Sequence, residues 1–208
     1  SIGEGKTYGF EFMYQERLSK NFYGILAYTF YYSLFTGLDK NKFIPSTWDN
    51  RNLVSFTGGY KFKHNWELGI RYRYQGGTPY TPFQIFNSLE NYPFTNSGVL
   101  DYSRINSQRL SGFSAMDVRL DKKWNFKKWT LDLFLDIQNF FNAKNPTPPG
   151  FTLQRNGDGG IATSNNTAYN PGIFGNPAAP NNRQLAIPAI LPNTSGARLP
   201  SMGFVVEF

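Results

Sequence analysis

The sequence predicts an all-β fold, a transmembrane antiparallel β-barrel wall of seven or so strands. Three observations predict it. Apolar and polar residues alternate at period two over segments of about ten residues, the length a tilted strand needs to cross a bilayer. The connections between these segments run short, long, short, long, short, long, as when tight turns lie on one side of an outer membrane and long loops on the other. Rings are abundant and charges scarce: 20 Phe, 13 Tyr and 4 Trp make up 18% of 208 residues, against 17% charged. Ordinary soluble domains carry about 25% charge.

The first strand is expected over 8–16, with Tyr8, Phe10, Phe12 and Tyr14 on one face and Gly9, Glu11, Met13 and Gln15 on the other. After the short link 17–21 comes a second strand, 22–35, apolar on both faces, with Leu26, Tyr28, Phe30 and Tyr32 on the outer one. The long link 36–51 leads to a third strand, 52–62, where Val54, Phe56, Tyr60 and Phe62 oppose Ser55, Thr57 and Lys61. The turn 63–65 leads to a fourth, 66–75, where Trp66, Leu68, Ile70, Tyr72 and Tyr74 oppose Glu67, Gly69, Arg71, Arg73 and Gln75. The long link 76–112 precedes a fifth, 113–124, with Met116, Val118, Leu120 and Trp124 opposite Asp117, Arg119, Asp121 and Lys123. The short link 125–128 leads to a sixth, 129–138, in which Trp129, Leu131, Leu133, Leu135 and Ile137 alternate with Thr130, Asp132, Phe134, Asp136 and Gln138. The last strand, 202–208, sets Met202, Phe204, Val206 and Phe208 against Gly203, Val205 and Glu207.

The link 143–200 has its own composition, with 9 of the 13 Pro, 9 Asn and 7 Gly. No strand is expected in it, because Pro188 and Pro192 interrupt its one apolar patch, 185–191. The short turns are flanked by rings: Phe22 and Tyr23, Phe62 and Trp66, Trp124 and Trp129. Amphipathic rings at that level form an interfacial girdle.

Several function classes are excluded. There is no Cys and a single His, His64, so thiol chemistry and a zinc centre are not expected. No phosphate loop, HExxH or GxSxG motif occurs, and no catalytic residue or cofactor is expected. No run of 18 apolar residues occurs, so no membrane helix is expected. Asn156-Gly157-Asp158-Gly159-Gly160 lacks the carboxylates of a calcium loop and reads as a turn. The charge of +7 does not point to nucleic acid. Arg71 and Arg73 lie on the face opposite the rings of their own strand, whereas a base-stacking platform needs both together. Anionic headgroups and lipopolysaccharide are the simpler partners.

A soluble carbohydrate-binding sandwich also alternates, but its strands average about five or six residues and its connections do not alternate in length. Single-chain bacterial barrels have even strand numbers and periplasmic termini. Seven strands ending in the periplasm would begin outside the cell and leave two open edges in lipid. The chain is therefore expected to be a C-terminal segment whose remaining strands lie in a partner chain or N-terminal fragment, parted in an extracellular loop.

Four segments carry a family resemblance. Trp48-Asp49-Asn50-Arg51-Asn52-Leu53-Val54 resembles the "D-x-R-[HN]" start-of-strand motif of TonB-dependent outer-membrane receptors, in a Bacteroidota-like style. Tyr72-Arg73-Tyr74-Gln75-Gly76-Gly77-Thr78-Pro79-Tyr80-Thr81-Pro82 resembles their "Y-x-G-x-P-Y-T-P" strand exit, and Asp136-Ile137-Gln138-Asn139-Phe140-Phe141-Asn142 their penultimate-strand motif. Gly203-Phe204-Val205-Val206-Glu207-Phe208 is similar to the terminal barrel-assembly signal, carried by Phe204, Val206 and Phe208. The motifs occur in the family's order within 48–208; residues 1–47 carry none. The resemblance implies an outer-membrane barrel of roughly 22 strands, a plug domain absent from this chain, and energising by TonB for uptake of a siderophore, haem, vitamin, glycan or peptide. A structural or docking barrel of the same family within a larger outer-membrane complex is the alternative, with a surface lipoprotein among its candidate partners.

Two residue sets follow. Glu67, Arg71, Arg73, Asp117, Arg119, Asp121, Asp132 and Asp136 are expected on the lumen face, as a polar path, as plug contacts, or as ordinary cross-strand charge pairs. Trp48, Tyr80, Phe83, Tyr92, Tyr102, Arg104 and Arg109 lie in the long links and are candidate substrate contacts, with loop self-packing as the alternative. Asn139 and Asn142 read as caps on the strand exit.

Overall fold

The computed structural model describes residues 3–37, 39–172 and 180–208. Ser1, Ile2, Leu38 and 173–179, in the expected N-terminal extension and two long links, lie outside the described residues. The strands are β1 (Gly5–Ser19), β2 (Phe22–Thr36), β3 (Phe43–Pro45), β4 (Asn52–Lys61), β5 (Trp66–Gln75) and β6 (Pro79–Tyr80). After helix α1 (Ile85–Thr95) come β7 (Gln108–Arg109), β8 (Phe113–Asn125), β9 (Thr130–Gln138), β10 (Asn145–Leu153), β11 (Pro188–Ser195) and β12 (Leu199–Glu207). The chain is mostly antiparallel β, as the alternation predicts.

The main sheet runs β1-β2-β4-β5-β8-β9-β12, with β3 added to β2. Its pairings are all antiparallel. These are the seven expected strands, in the expected order. β1 and β2 run 15 residues each; β1 is longer than alternation marked because its pairing starts at Gly5 and continues through a bulge between Glu16 and Ser19. The β1–β2 link is only Lys20 and Asn21, both with positive φ (47° and 75°). Two left-handed residues give the hairpin turn whose twist matches its strands. His64 and Asn65 repeat the device at φ 60° and 58°.

Register fixes the faces. Phe12 pairs with Tyr28, Tyr28 with Val54, Val54 with Tyr74 and Tyr74 with Ser114. Farther along, Leu68 pairs with Leu120, Leu120 with Leu135 and Leu135 with Met202. Side chains directly opposite share a face, so the ring-rich sides of all seven strands form one continuous surface. Successive turns also overhang in one sense. Tyr60, near the second turn, pairs with Phe22, beside the first. Lys122, several residues short of the third, pairs with Trp66, beside the second. A stagger of constant sense belongs to strands tilted against a common axis.

The chain divides into two compact units. The sheet unit is drawn from 1–79, 109–146 and 194–208, and a smaller unit from 80–108 and 147–193. The smaller unit holds a core of Leu89, Phe151, Leu153 and Ala186, with Phe83, Tyr92, Ile161 and Tyr169 packed on it. Here the sequence expectation is corrected: the link 143–200 does contain strands, β10 and β11, paired as a two-stranded ribbon. The Ile187 and Asn193 carbonyls accept from Gln154 and Thr147 on the β10 side. Each strand of a two-stranded ribbon has one unpaired edge, where prolines such as Pro188 and Pro192 are tolerated. Helix α1 starts at Gln84, whose side chain accepts from the Asn87 N–H, and ends at left-handed Asn96, φ 49°. Asn156–Gly160 is a turn, as expected: the Asn156 N–H reaches the Gly160 carbonyl at 2.7 Å, and Asp158 accepts from the Gly160 N–H at 2.9 Å.

Candidate functional site

The residues that carry charge chemistry gather on the second face of the main sheet. All eight expected lumen-face residues share it, because Glu67 pairs with Asp121 and Arg71 with Asp117, while Arg119 pairs with Asp136 and Lys123 with Asp132. At its centre Asp117, nearly buried, takes one carboxylate oxygen to Arg71 at 3.0 Å (Nε) and 2.7 Å (Nη2). Arg73 Nη2 stands 3.6 Å from the same oxygen. The other oxygen accepts the Asn139 backbone N–H at 2.9 Å. Arg119 Nε meets both Asp121 oxygens at 3.0 Å, with Nη2 at 2.8 Å, and its guanidinium lies 4.0 Å over the Phe134 ring. Bidentate pairing of this kind fixes orientation as well as charge.

Lys123 and Asp132 pair at 3.4 Å, and the second Asp132 oxygen is buried without a hydrogen-bond partner among the described residues. Asp136 has no ion-pair partner among the described residues. A cleft of about 280 Å³ opens here, lined by Tyr23, Arg71, Asp117, Arg119 and Asp136 among others. Tyr23 corrects the girdle expectation. The register places it opposite Gly59, on the charged face, and its hydroxyl donates to Glu67 at 2.5 Å. The other girdle rings, Phe22, Phe62, Trp66, Trp124 and Trp129, are exposed around the short turns.

A second cluster lies in the sheet unit beyond the strand ends. Asp49 is fully buried, at 0% exposure. One carboxylate oxygen accepts the Ser33 N–H at 2.7 Å; the other accepts Arg51 Nε at 2.8 Å and Arg109 Nη2. Arg109 also donates to the Asp49 carbonyl and, at 2.9 Å, to the Gly77 carbonyl. Burial pushes the Asp49 carboxyl up, but the Arg51, Ser33 and Arg109 hydrogen bonds with the Arg51 charge outweigh it and hold the group below the usual carboxylate range. Asn50 accepts from the Thr78 hydroxyl at 3.0 Å. Left-handed Arg51, φ 66°, sets its guanidinium 4.0 Å from the Tyr32 ring centroid. The Trp48–Arg51 motif and the 76–79 exit are thereby tied together.

The candidate substrate contacts divide. Trp48 and Tyr102 are exposed, at 75% and 71%. Phe83 and Tyr92 turn inward: both rings pack on Phe151, and the Tyr92 hydroxyl meets Thr152 at 3.0 Å. Arg104 is paired with Asp101 at 2.8 Å, and hydrogen bonds from Ser103 and Arg104 hold Asp101 below its usual range. Arg109 is committed to Asp49, and Tyr80 is half-buried in β6. Self-packing accounts for Phe83, Tyr92 and Arg109. Asn139 and Asn142 cap the exit from β9: Asn139 receives the Ala143 N–H at 2.8 Å, and Asn142 receives the Arg198 N–H at 3.2 Å. In the terminal segment, Phe204 is 69% exposed, Val206 is half-buried and Phe208 is fully exposed.

Tyr23 and Asp49 were the important residues outside both expected sets. Tyr23 was readable from its phase, two residues before Ile25 and out of step with Leu26. The burial of Asp49 depends on Arg109, 60 positions away, and no local pattern announces it. Chemically, the charged face offers fixed, mostly paired charges. No group of three or more metal-ligating side chains occurs among the described residues. No known family model matches this sequence, and no curated protein matches it.

Proposed function

We propose that this chain is the C-terminal part of an outer-membrane β-barrel of the TonB-dependent receptor type, forming a wall through which a nutrient is taken into the periplasm. The observation that carries the reading is the two-sided register. One face of all seven strands is ring-rich, and its rings are exposed or half-buried, with Tyr8, Phe10, Phe12 and Tyr14 of the edge strand each more than half exposed and Met202 at 77%. The other face is laced with ion pairs. Alternating apolar-out and polar-in strands are the pattern of a membrane barrel. A soluble sandwich would cover the ring face with a second sheet. The constant stagger and the short-against-long connections support the same reading.

β1 and β12 stand at the ends of the strand order. Open edges in lipid leave unpaired backbone groups, at several kcal/mol each, so the wall takes further strands from beyond this sequence or from a partner chain. An odd antiparallel run has parallel outer strands, so an odd number of further strands closes it antiparallel. The plug and TonB follow from the motif resemblance alone.

The test is extraction. Membranes from cells making the full assembly are washed with carbonate and then with detergent. The chain stays through the first wash and is released by the second, together with the strands that complete the wall. A chain released by carbonate alone would end the membrane reading.

A further inference from the structure

We infer that the short-turn rim of the sheet is a headgroup site for anionic glycerophospholipid, centred on Lys122. This rests on the lipid-facing reading of the ring-rich face. Lys122 lies on that face within β8, opposite Trp66 on β5 and Leu133 on β9. Its neighbours along β8 on the same face are Leu120 and Trp124. A cation in such surroundings needs an anion or a path to water, yet no ion pair is formed by Lys122 among the described residues.

Two rings and a carbonyl position the ammonium. Nζ lies 5.3 Å from the Trp66 ring centroid and 5.4 Å from that of Trp124, and it donates to the His64 carbonyl. Cation–ring attraction acts within about 6 Å. An ammonium has three N–H donors, and only one makes a hydrogen bond among the described residues, so the others remain for an oxyanion. The adjoining turns add Lys63, Lys127 and Lys128, all exposed and without ion-pair partners among the described residues. The flanking Phe62, Trp66, Trp124 and Trp129 are exposed beside the same two turns. Rings of this kind settle at headgroup depth, which brings four ammonium groups to the plane of lipid phosphates. The phosphodiester of a phospholipid with net negative charge is the matching ligand, and the rings accept its upper acyl carbons.

The test floats the full assembly, with the strands that complete the wall, after dilution from detergent, on vesicles of phosphatidylcholine alone or with one part in five phosphatidylglycerol, at low salt. Expected is flotation with both, at least about tenfold tighter with phosphatidylglycerol, since each lysine near an anionic surface contributes severalfold. The preference should fall at least fivefold in a Lys63→Gln/Lys122→Gln/Lys127→Gln/Lys128→Gln variant and persist in a Lys40→Gln/Lys42→Gln/Lys144→Gln control. Inorganic phosphate at equal phosphorus concentration should not compete. Equal binding to both vesicles, an unchanged preference in the first variant, or equal loss in the control each overturns the headgroup site and leaves the membrane reading standing. Failure to float on any vesicle overturns both.

Discussion

The smaller unit and the main sheet use the same kinds of residue in opposite ways. In the smaller unit Phe151 is 8% exposed and Leu153 3%, at the centre of a core that Phe83 and Tyr92 complete. In the sheet, Phe204 is 69% exposed and Phe10 57%. Polar groups are distributed in the reverse sense. The sheet's Asp117 and Asp132 carboxylates are 11% and 16% exposed and paired, whereas the smaller unit leaves much of its Asn and Gly surface open. One region hides its rings in a core; the other carries its rings on one open face and its charges on the opposite one, the distribution that the proposed membrane wall calls for. What distinguishes them is where the rings go: both regions use Phe and Tyr, and only the smaller unit folds them into a core.

The strongest way to break that contrast is to truncate one ring in each region. Phe151→Ala should cost the smaller unit about 3–5 kcal/mol, the usual loss for a buried Phe. Phe204→Ala removes a side chain already exposed and should cost under about 1 kcal/mol in water or detergent. Amide hydrogen exchange at 147–153 and at 199–207 reads the two separately. Equal losses at both sites would mean that the ring face of β12 is covered.

Next in size is Ile70→Arg, midway along β5 on the ring face. Arginine on the lipid side near the bilayer midplane costs about 2–4 kcal/mol. Thr57→Arg, at an exposed position on the charged face opposite Arg71, should cost under about 1 kcal/mol, the size of a like-charge cross-strand pair. Retention of each variant in washed membranes decides it; similar retention of both would contradict the assignment of faces.

How legible this was in the sequence depended on how local the cause is. Alternation needs only neighbours two residues apart, and it located all seven main strands and the face of each expected charged residue. Tyr23 was misplaced because proximity to a turn was weighed above its own phase. β10 and β11 were missed because a proline run argues against a sheet, while a two-stranded ribbon has an open edge on which Pro188 and Pro192 are harmless. The core of the smaller unit joins α1 to β10, residues about 60 positions apart, as the Tyr92–Thr152 contact illustrates. Nothing in either segment names the other. Of the candidate contacts, Phe83 and Tyr92 looked like binding rings for the same reason: without the distant partner, a buried loop ring and an exposed one read alike.

Asp49 tests the sheet unit beyond its strands. Asp49→Asn keeps the shape but leaves Arg51 and Arg109 facing a neutral amide. Both guanidiniums are about a third exposed, at 33% and 32%, and recover some water, so the expected loss is about 1–3 kcal/mol. The native carboxyl titrates below its unfolded value. Its contribution is therefore fully present above the unfolded pKa and is lost as pH falls through the folded one. Proteolysis near 79 and 109 followed from neutral to strongly acidic pH should show wild type converging on the Asp49→Asn variant at the acid end. Parallel curves across that range would mean that the ion cluster adds nothing.

The smallest effect separates two arginines on one carboxylate. Arg71 holds Asp117 at 2.7 Å through two nitrogens, whereas Arg73 reaches the same oxygen at 3.6 Å through one. Both are about half exposed, at 53% and 49%, so water screens each, and pairs of this kind contribute about 0–1 kcal/mol. Arg71→Gln should sit near the top of that range and Arg73→Gln near zero. The difference matters for function more than for stability. A guanidinium that barely contributes to holding the wall together is free to meet an anion passing over the charged face, while one locked to Asp117 is not. Conductance or uptake of an anionic solute through the complete barrel should therefore respond to Arg73→Gln more than to Arg71→Gln, the reverse of the stability order. If both measurements rank the arginines the same way, the charged face is a brace and not a path.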